Sequence, residues 1–240
     1  MLASNRDEFL SRPTVPLGYW DDSDTILAGR DLEAGGTWLG INSGGRFAAL
    51  TNYREVAGNV GSANSRGELI PHFLRSTSEI QQFADSLPAI SGQYRGFNLL
   101  FGDQQQMLHY SNRERKAVAL VPGIYGISNR LLDTDWPKVV RGKTLLKEQL
   151  ESKSFTAEDL FTLLRDSNRP DDSLLPDTGV GIEWERLLST IFIRGRTYGT
   201  RSSAVLLVHQ DNTTEFWERS YPLDETGSLK TDEKYFIITP

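Results

Sequence analysis

The sequence predicts an α+β domain built mainly on antiparallel strands, and three observations carry that reading. Short apolar or alternating runs recur along the chain between turn residues, helical periodicity is confined to a few segments, and strand-like runs flank the helical middle. The two ends of the chain are therefore expected to share one or two sheets. With 240 residues, 38% of them hydrophobic, the chain can bury a sizeable core, and it reads as one domain without repeats or low-complexity tracts.

The plainest element is a hairpin over residues 37–52. Two strands there flank Asn42-Ser43-Gly44-Gly45, where glycines supply the positive φ of a tight turn. Further strands are expected at 96–102, 107–111, 124–128, 191–194, 203–209, 214–219 and 235–239, each short and bounded by turn residues. Ser78-Glu-Ile-Gln81 reads as a capping box ahead of Phe83 and Leu87, and Thr156-Ala-Glu-Asp159 as another ahead of Leu160, Phe161, Leu163 and Leu164. A longer helix is expected from Asp135 to Glu151, with Pro137 in its first turn and an imperfect apolar stripe through Val139, Val140, Leu145, Leu146, Gln149 and Leu150. The polar stretches 58–67 and 167–181 read as surface loops.

Composition excludes several classes. A net charge of −6, from 26 Lys and Arg against 32 Asp and Glu, gives no broad attraction to phosphate backbones, so nucleic acid is not an expected partner. No apolar run approaches the roughly 20 residues of a membrane span, and no basic-then-apolar leader is readable, so the expected location is cytoplasmic. The chain contains no cysteine, which removes disulfides, cysteine-ligated metals and a cysteine nucleophile from the chain as written. His72, His109 and His209 have no metal-ligand spacing, and neither a metal nor a cofactor is expected. The motifs of nucleotide-phosphate loops and of the nucleophile elbow are missing as well.

What remains is a set of polar groups at strand ends. Arg6, Asp7 and Glu8 place a guanidinium beside two carboxylates, able to hold an anion, orient a nucleophile or satisfy one another. Asn52 and Asn129 each follow an apolar run, where an amide N–H can serve as an oxyanion donor or simply shape a turn. Arg201 stands at the mouth of a buried strand, as a surface charge or an anion contact. The five tryptophans read first as core or pocket wall.

Asn5-Arg-Asp-Glu8, Ala28-Gly-Arg-Asp31, Gly35-Gly-Thr-Trp-Leu-Gly40, Arg46-Phe-Ala-Ala-Leu-Thr-Asn-Tyr-Arg54, Gly96-Phe-Asn-Leu-Leu100, Gly126-Ile-Ser-Asn129, Trp136-Pro-Lys138 and Tyr198-Gly-Thr-Arg-Ser202 together resemble the NRDE family, also called the transport and Golgi organisation protein 2 family. These motifs run in order over nearly the whole chain. The family is in turn similar to N-terminal-nucleophile hydrolases of the choloylglycine and penicillin V acylase kind, which implies a four-layer αββα sandwich with two mainly antiparallel sheets and helices outside. In such amidohydrolases an N-terminal cysteine attacks an amide carbonyl with its own α-amine as base. The resemblance implies that Arg6 and Asp7 orient the nucleophile, with Asp7 against Glu8 left open because on a regular strand Arg6 and Glu8 share a face. It also implies that Asn52 and Asn129 hold the oxyanion, that Arg201 lies beside the nucleophile, and that Trp38, Tyr53 and Trp136 line a ligand site.

One departure matters. Family members usually begin with Met-Cys and a strand leading into the NRDE motif, whereas Met1-Leu2 stands almost directly before it here, so the nucleophile and most of the first strand are expected to be missing. Two readings follow, an amidohydrolase scaffold acting on a small acyl amide in a form that carries the cysteine, and a non-catalytic carrier of an apolar anionic ligand such as haem or a fatty acyl group. A scaffold without ligand is disfavoured, because polar strand ends are a costly way to fill a core. Oligomeric state is left open. The chain beginning at Met1 is expected to show no N-terminal-nucleophile activity, and an amide hydrolysis by it that disappears in Asn129→Ala would overturn this.

Overall fold

The computed structural model describes residues 1–55, 64–152, 154–222 and 230–239, which fall into two compact units. One comprises Met1–Arg12, Ile124–Gly126 and Asp133–Thr239, and the other Pro13–Gly123 with Ile127–Leu132. Each is organised around one antiparallel sheet.

The first unit opens with β1 (Leu2–Phe9), and the second continues with β2 (Thr14–Trp20), β3 (Ser23–Asp31), β4 (Leu39–Asn42) and β5 (Phe47–Asn52). Helices α1 (Leu69–Arg75) and α2 (Ile80–Ile90) precede β6 (Phe97–Gly102), β7 (Met107–Ser111) and β8 (Lys116–Ala119). The first unit resumes with α3 (Pro137–Leu150), α4 (Ala157–Leu164), α5 (Ile182–Leu187), β9 (Tyr198–Val208), β10 (Thr214–Ser220) and β11 (Asp232–Ile238).

Strands β2 to β8 form a seven-stranded meander in which every strand pairs with its neighbours in sequence. Alternation along them puts Ile26, Ala28, Ala48, Leu99, Phe101, Leu108 and Tyr110 in one apolar cluster with Leu69, Phe73, Leu74, Phe83 and Leu87 of the two helices. Phe73, Phe83 and Phe101 meet edge to face, with centroids 4.8 to 5.5 Å apart. The expected hairpin is β4 and β5. Of its two turn glycines, Gly45 takes the left-handed conformation at φ 80°, while the Asn42 carboxamide Oδ1 accepts from Gly44 N at 3.0 Å and Arg46 N at 2.9 Å. The other end of the same amide donates to Leu74 O at 2.7 Å, so the turn also ties down the end of α1. Arg46 completes this tie by donating to Ser76 O and Ser78 O, each at 2.6 Å.

Several expectations are corrected here. Helix α2 begins at Ile80 after Glu79, and the capping box expected at Ser78 is not formed, because the Ser78 hydroxyl pairs with Ser76 Oγ at 2.7 Å. The box at Thr156 does form its return bond, from Thr156 N to Asp159 Oδ2 at 2.8 Å. Residues 124–128 and 191–194 are not strands. Their backbone groups find partners elsewhere: Ile193 N donates to Thr200 Oγ1 at 2.9 Å, Phe192 N to Asp166 O at 2.7 Å, and Gly126 N to Asp133 Oδ1 at 2.8 Å. Of the expected loop at 58–67, residues 58–63 lie outside the described residues, and a single 3-10 turn covers Arg66–Glu68.

The four-stranded sheet has the order β1-β9-β10-β11. Leu160, Phe161 and Leu164 of α4 pack on Val205 of β9, with Ala3 of β1 and Leu146 of α3 alongside. Although most of the first strand was expected to be missing, Leu2–Phe9 form an eight-residue strand along β9, from Leu2 opposite Leu206 to Phe9 opposite Tyr198. Taken together, two antiparallel sheets with accompanying helices establish the α+β class expected from the sequence.

Two substitutions test this packing. Phe73→Ala is expected to cost about 3–5 kcal/mol in urea unfolding, since Phe73 is fully buried between α2 and β6. Gly36→Ala should destabilise for a different reason, because a Cβ there would fall 2.4 Å from the Gly67 carbonyl carbon and force two backbones apart.

Candidate active site

The NRDE residues lie within β1 rather than at its end, and the sheet sorts their side chains. Opposite Arg6 and Asp7 on β9 stand Ser202 and Thr200, so Arg201 is the extra residue of a β-bulge. The bulge brings Thr200 onto the Asp7 side of the sheet, where its hydroxyl donates to Asp7 Oδ1 at 2.6 Å. Asn5 is on the same side and is fully engaged. Its Nδ2 donates to Leu164 O and Ile191 O, both at 2.8 Å, and its Oδ1 accepts from Ser203 Oγ at 2.6 Å, which accepts in turn from Tyr221 OH at 3.0 Å.

Arg6 faces the opposite way. It is buried, as are Ser202 and Glu218, whose side chains hydrogen-bond at 3.3 Å. Arg6 and Asp7 thus point to different sides of one sheet, as strand alternation expects, and Asp7 shares its side with Asn5. Glu8 is half-buried near the rim, with Oε1 accepting from Phe9 N at 2.9 Å and Oε2 3.9 Å from the Arg12 guanidinium. The Arg201 guanidinium turns to the exit of β1 and donates to the carbonyls of Phe9 and Arg12. Trp136, half-buried, is the N-cap of α3, its carbonyl accepting from Val139 N at 2.8 Å and Val140 N at 3.0 Å.

The other expected residues lie in the seven-stranded unit. Asn52 ends β5 with an exposed side chain, and among the described residues its amide has no hydrogen-bond partner. Its backbone carbonyl accepts from Asn129 Nδ2 at 3.1 Å, while Asn129 O accepts from Arg54 N at 2.6 Å and Asn129 Oδ1 from Arg54 Nη2 at 3.3 Å. Asn52 and Asn129 are therefore brought together, with one holding the backbone of the other. Tyr53 follows Asn52 in the chain, and its ring carries the Arg130 guanidinium 4.9 Å from its centroid. Trp38 is half-buried, and its carbonyl receives Leu50 N at 2.9 Å. The structure thus divides the expected residues: Arg6, Asp7, Arg201 and Trp136 belong to one unit, and Trp38, Asn52, Tyr53 and Asn129 to the other.

Sequence reasoning passed over a buried polar group beside Asn129. Asn98 Nδ2 donates to Arg130 O at 2.8 Å and to Thr51 Oγ1 at 3.2 Å, and Asn98 Oδ1 lies 3.3 Å from His109 Nε2. Asn98 and His109 are 1% and 2% exposed. The signal was an amide and an imidazole inside apolar strands, but their meeting depends on the register that sets Leu100 opposite His109. No group of three or more His, Cys, Asp or Glu suited to a metal ion is gathered among the described residues, and no described helix is long and apolar enough to cross a membrane.

The two-sheet α+β fold is similar to that of hydrolases of the N-terminal-nucleophile type. An arginine-to-leucine variant of conjugated bile acid hydrolase from Clostridium perfringens superposes with a TM-score of 0.51 over 98% of this chain and 92% of that one, at 9% sequence identity. The Transport and Golgi organisation 2 family model matches residues 1–222, and the chain belongs to that family. The Transport and Golgi organization 2 homolog of Mus musculus is 34% identical over 99% of this chain and 92% of its own length. The Bos taurus homolog is 38% identical over 92% of this chain and 86% of its own.

Burial holds the His109 ring neutral, pushing its pKa down from 6.5 to about 4. Between these values the unfolded chain takes up a proton that the native state refuses, so stability falls as pH drops from about 6.5 towards 4. The loss is expected to reach at most about 3 kcal/mol. Urea midpoints across this window should decline less steeply in His109→Gln than in the parent protein.

Proposed function

We propose that this scaffold serves an amidohydrolase of the N-terminal-nucleophile type that, in a form bearing a free N-terminal cysteine, cleaves a non-peptide C–N bond in a small acyl amide. The observation that carries the reading is the Asn52 amide, exposed and unpartnered among the described residues on a strand end whose carbonyl Asn129 holds. Asn129 holds the backbone that carries this donor, which limits the reorganisation needed for the amide to meet a developing oxyanion. In this reading Asn52 is the oxyanion donor and Asn129 steadies it and offers its remaining N–H, while within the four-stranded unit Arg6, Asp7 and Arg201 order the strand pair β1 and β9. The thiol adds to the carbonyl, the C–N bond breaks as the α-amine passes the thiol proton to the leaving amine, and water then releases the acid. Tyr53 and Trp38, both of the seven-stranded unit, are the proposed apolar contacts for the acyl group, and the cytoplasm is the proposed compartment.

A second reading, a non-catalytic carrier of haem or a fatty acyl group, is supported by the exposed Arg130 guanidinium stacked on Tyr53, which suits a carboxylate. The two are separated by isolating the protein from its native cell, reading its mass and N-terminus, and assaying it on a panel of N-acyl amino acids. The hydrolase reading expects a terminal cysteine and a turnover that Asn52→Ala lowers about 100-fold with little change in KM. A cysteine-free protein without turnover, but with saturable binding of haemin or a fatty acyl-CoA, would replace it with the carrier reading.

A further inference from the structure

The polar group beneath Asn129 has a definite hydrogen-bond polarity. Arg130 O can only accept, so the Asn98 amide must turn its nitrogen towards it, at 2.8 Å, and its Oδ1 towards His109 Nε2, at 3.3 Å. The proton of the His109 ring is therefore on Nε2, donated to Asn98. With the imidazole donor in place, the opposite rotation of the carboxamide would set two donors against each other and two acceptors against each other. Burying an amide and an imidazole in a sheet face is more costly than burying two apolar residues, and the arrangement secures one thing, the peptide that follows Asn129.

We infer that His109 and Asn98 are positioning residues, which clamp the Arg130 carbonyl to the sheet and so fix the Asn129 side chain that presents the Asn52 amide. The clamp runs through residues of one unit: His109 on β7, Asn98 on β6, Thr51 and Asn52 on β5, and the 127–132 segment. Thr51 Oγ1, 3.2 Å from Asn98 Nδ2, shares the load at the nitrogen end. Its functional meaning rests on the amidohydrolase reading, whereas the clamp itself can be measured without any substrate.

The measurement is hydrogen exchange by NMR at the Arg54 amide, whose acceptor is Asn129 O at 2.6 Å. In Asn98→Asp, which keeps the shape but loses the donor to Arg130 O, and in His109→Leu, Arg54 exchange is expected to quicken about tenfold or more, while Leu99 in the sheet core changes only with global stability. His109→Gln, which retains an amide donor, should restore most of the protection. Unchanged Arg54 protection in folded Asn98→Asp or His109→Leu overturns the inference, as does a His109→Gln variant as exposed as His109→Leu. Should those variants not fold, the imidazole ¹⁵N spectrum of the parent protein decides, because a bare Nε2 is incompatible with the clamp and a protonated Nε2 supports it. In a form that hydrolyses amides, the clamp variants should lower kcat more than they raise KM. Absence of hydrolysis in every form counts against the amidohydrolase reading and leaves the exchange result standing.

Discussion

The pairing of β1 with β9 is the constraint on which the four-stranded unit depends. It joins residues 2–9 to residues 198–206, nearly the full length of the chain apart, and places the NRDE residues inside a sheet. So distant a contact carries a large loop-closure entropy, which favours slow assembly of this sheet. Every polar side chain of β1 is then judged by its side of the sheet. Asn5 and Asp7 are taken up by Leu164, Ile191, Ser203 and Thr200, while Arg6 is buried on the opposite side with Ser202 and Glu218. The bulge at Arg201 makes this division possible, since without the extra residue Thr200 would face away from Asp7.

Asparagine side chains recur as the connectors of this protein. A carboxamide carries a donor and an acceptor on one rigid plane, so it can satisfy a strand edge and a neighbouring segment at the same time. Asn42 links the β4–β5 turn to α1, and Asn112 accepts from Phe97 N at 2.9 Å while donating to the carbonyls of Ser91 and Arg95. Asn98 and Asn129 work in the same way at the end of β5. Against that background Asn52 differs, because its amide is exposed and unpartnered among the described residues.

Parts of the fold were legible because local chemistry is decisive there. Asn42 through Gly45 dictate a hairpin, Thr156 and Asp159 a helix start, and Pro137 a first turn, whatever surrounds them. β2 was not legible. Pro16 and Gly18 argue against a strand, and the segment forms one only as a sheet edge, with register shifts between Val15 and Gly18 and between Tyr19 and Trp20. The apolar runs at 124–128 and 191–194 misled in the opposite direction. Their residues are apolar enough for strands, yet their hydrogen bonds go to Asp133, Asp166 and Thr200.

The candidate site divides along the same line. Residue type and motif order single out Arg6, Asp7, Asn52, Asn129 and Arg201, because amides and charges at the ends of apolar runs stand out in a linear text. Their partners do not, since the Arg201 guanidinium reaches the carbonyls of Phe9 and Arg12 only through the β1–β9 register. By itself the sequence determined the family, the α+β class and the polar groups that could do chemistry, all of which depend on residue identity and short-range spacing. Only the tertiary structure decided that Asp7 is held by Thr200, that Asn129 grips the backbone of Asn52, and that His109 and Asn98 stand beneath it. Those relations depend on register between distant strands, where a shift of one residue reverses every side chain.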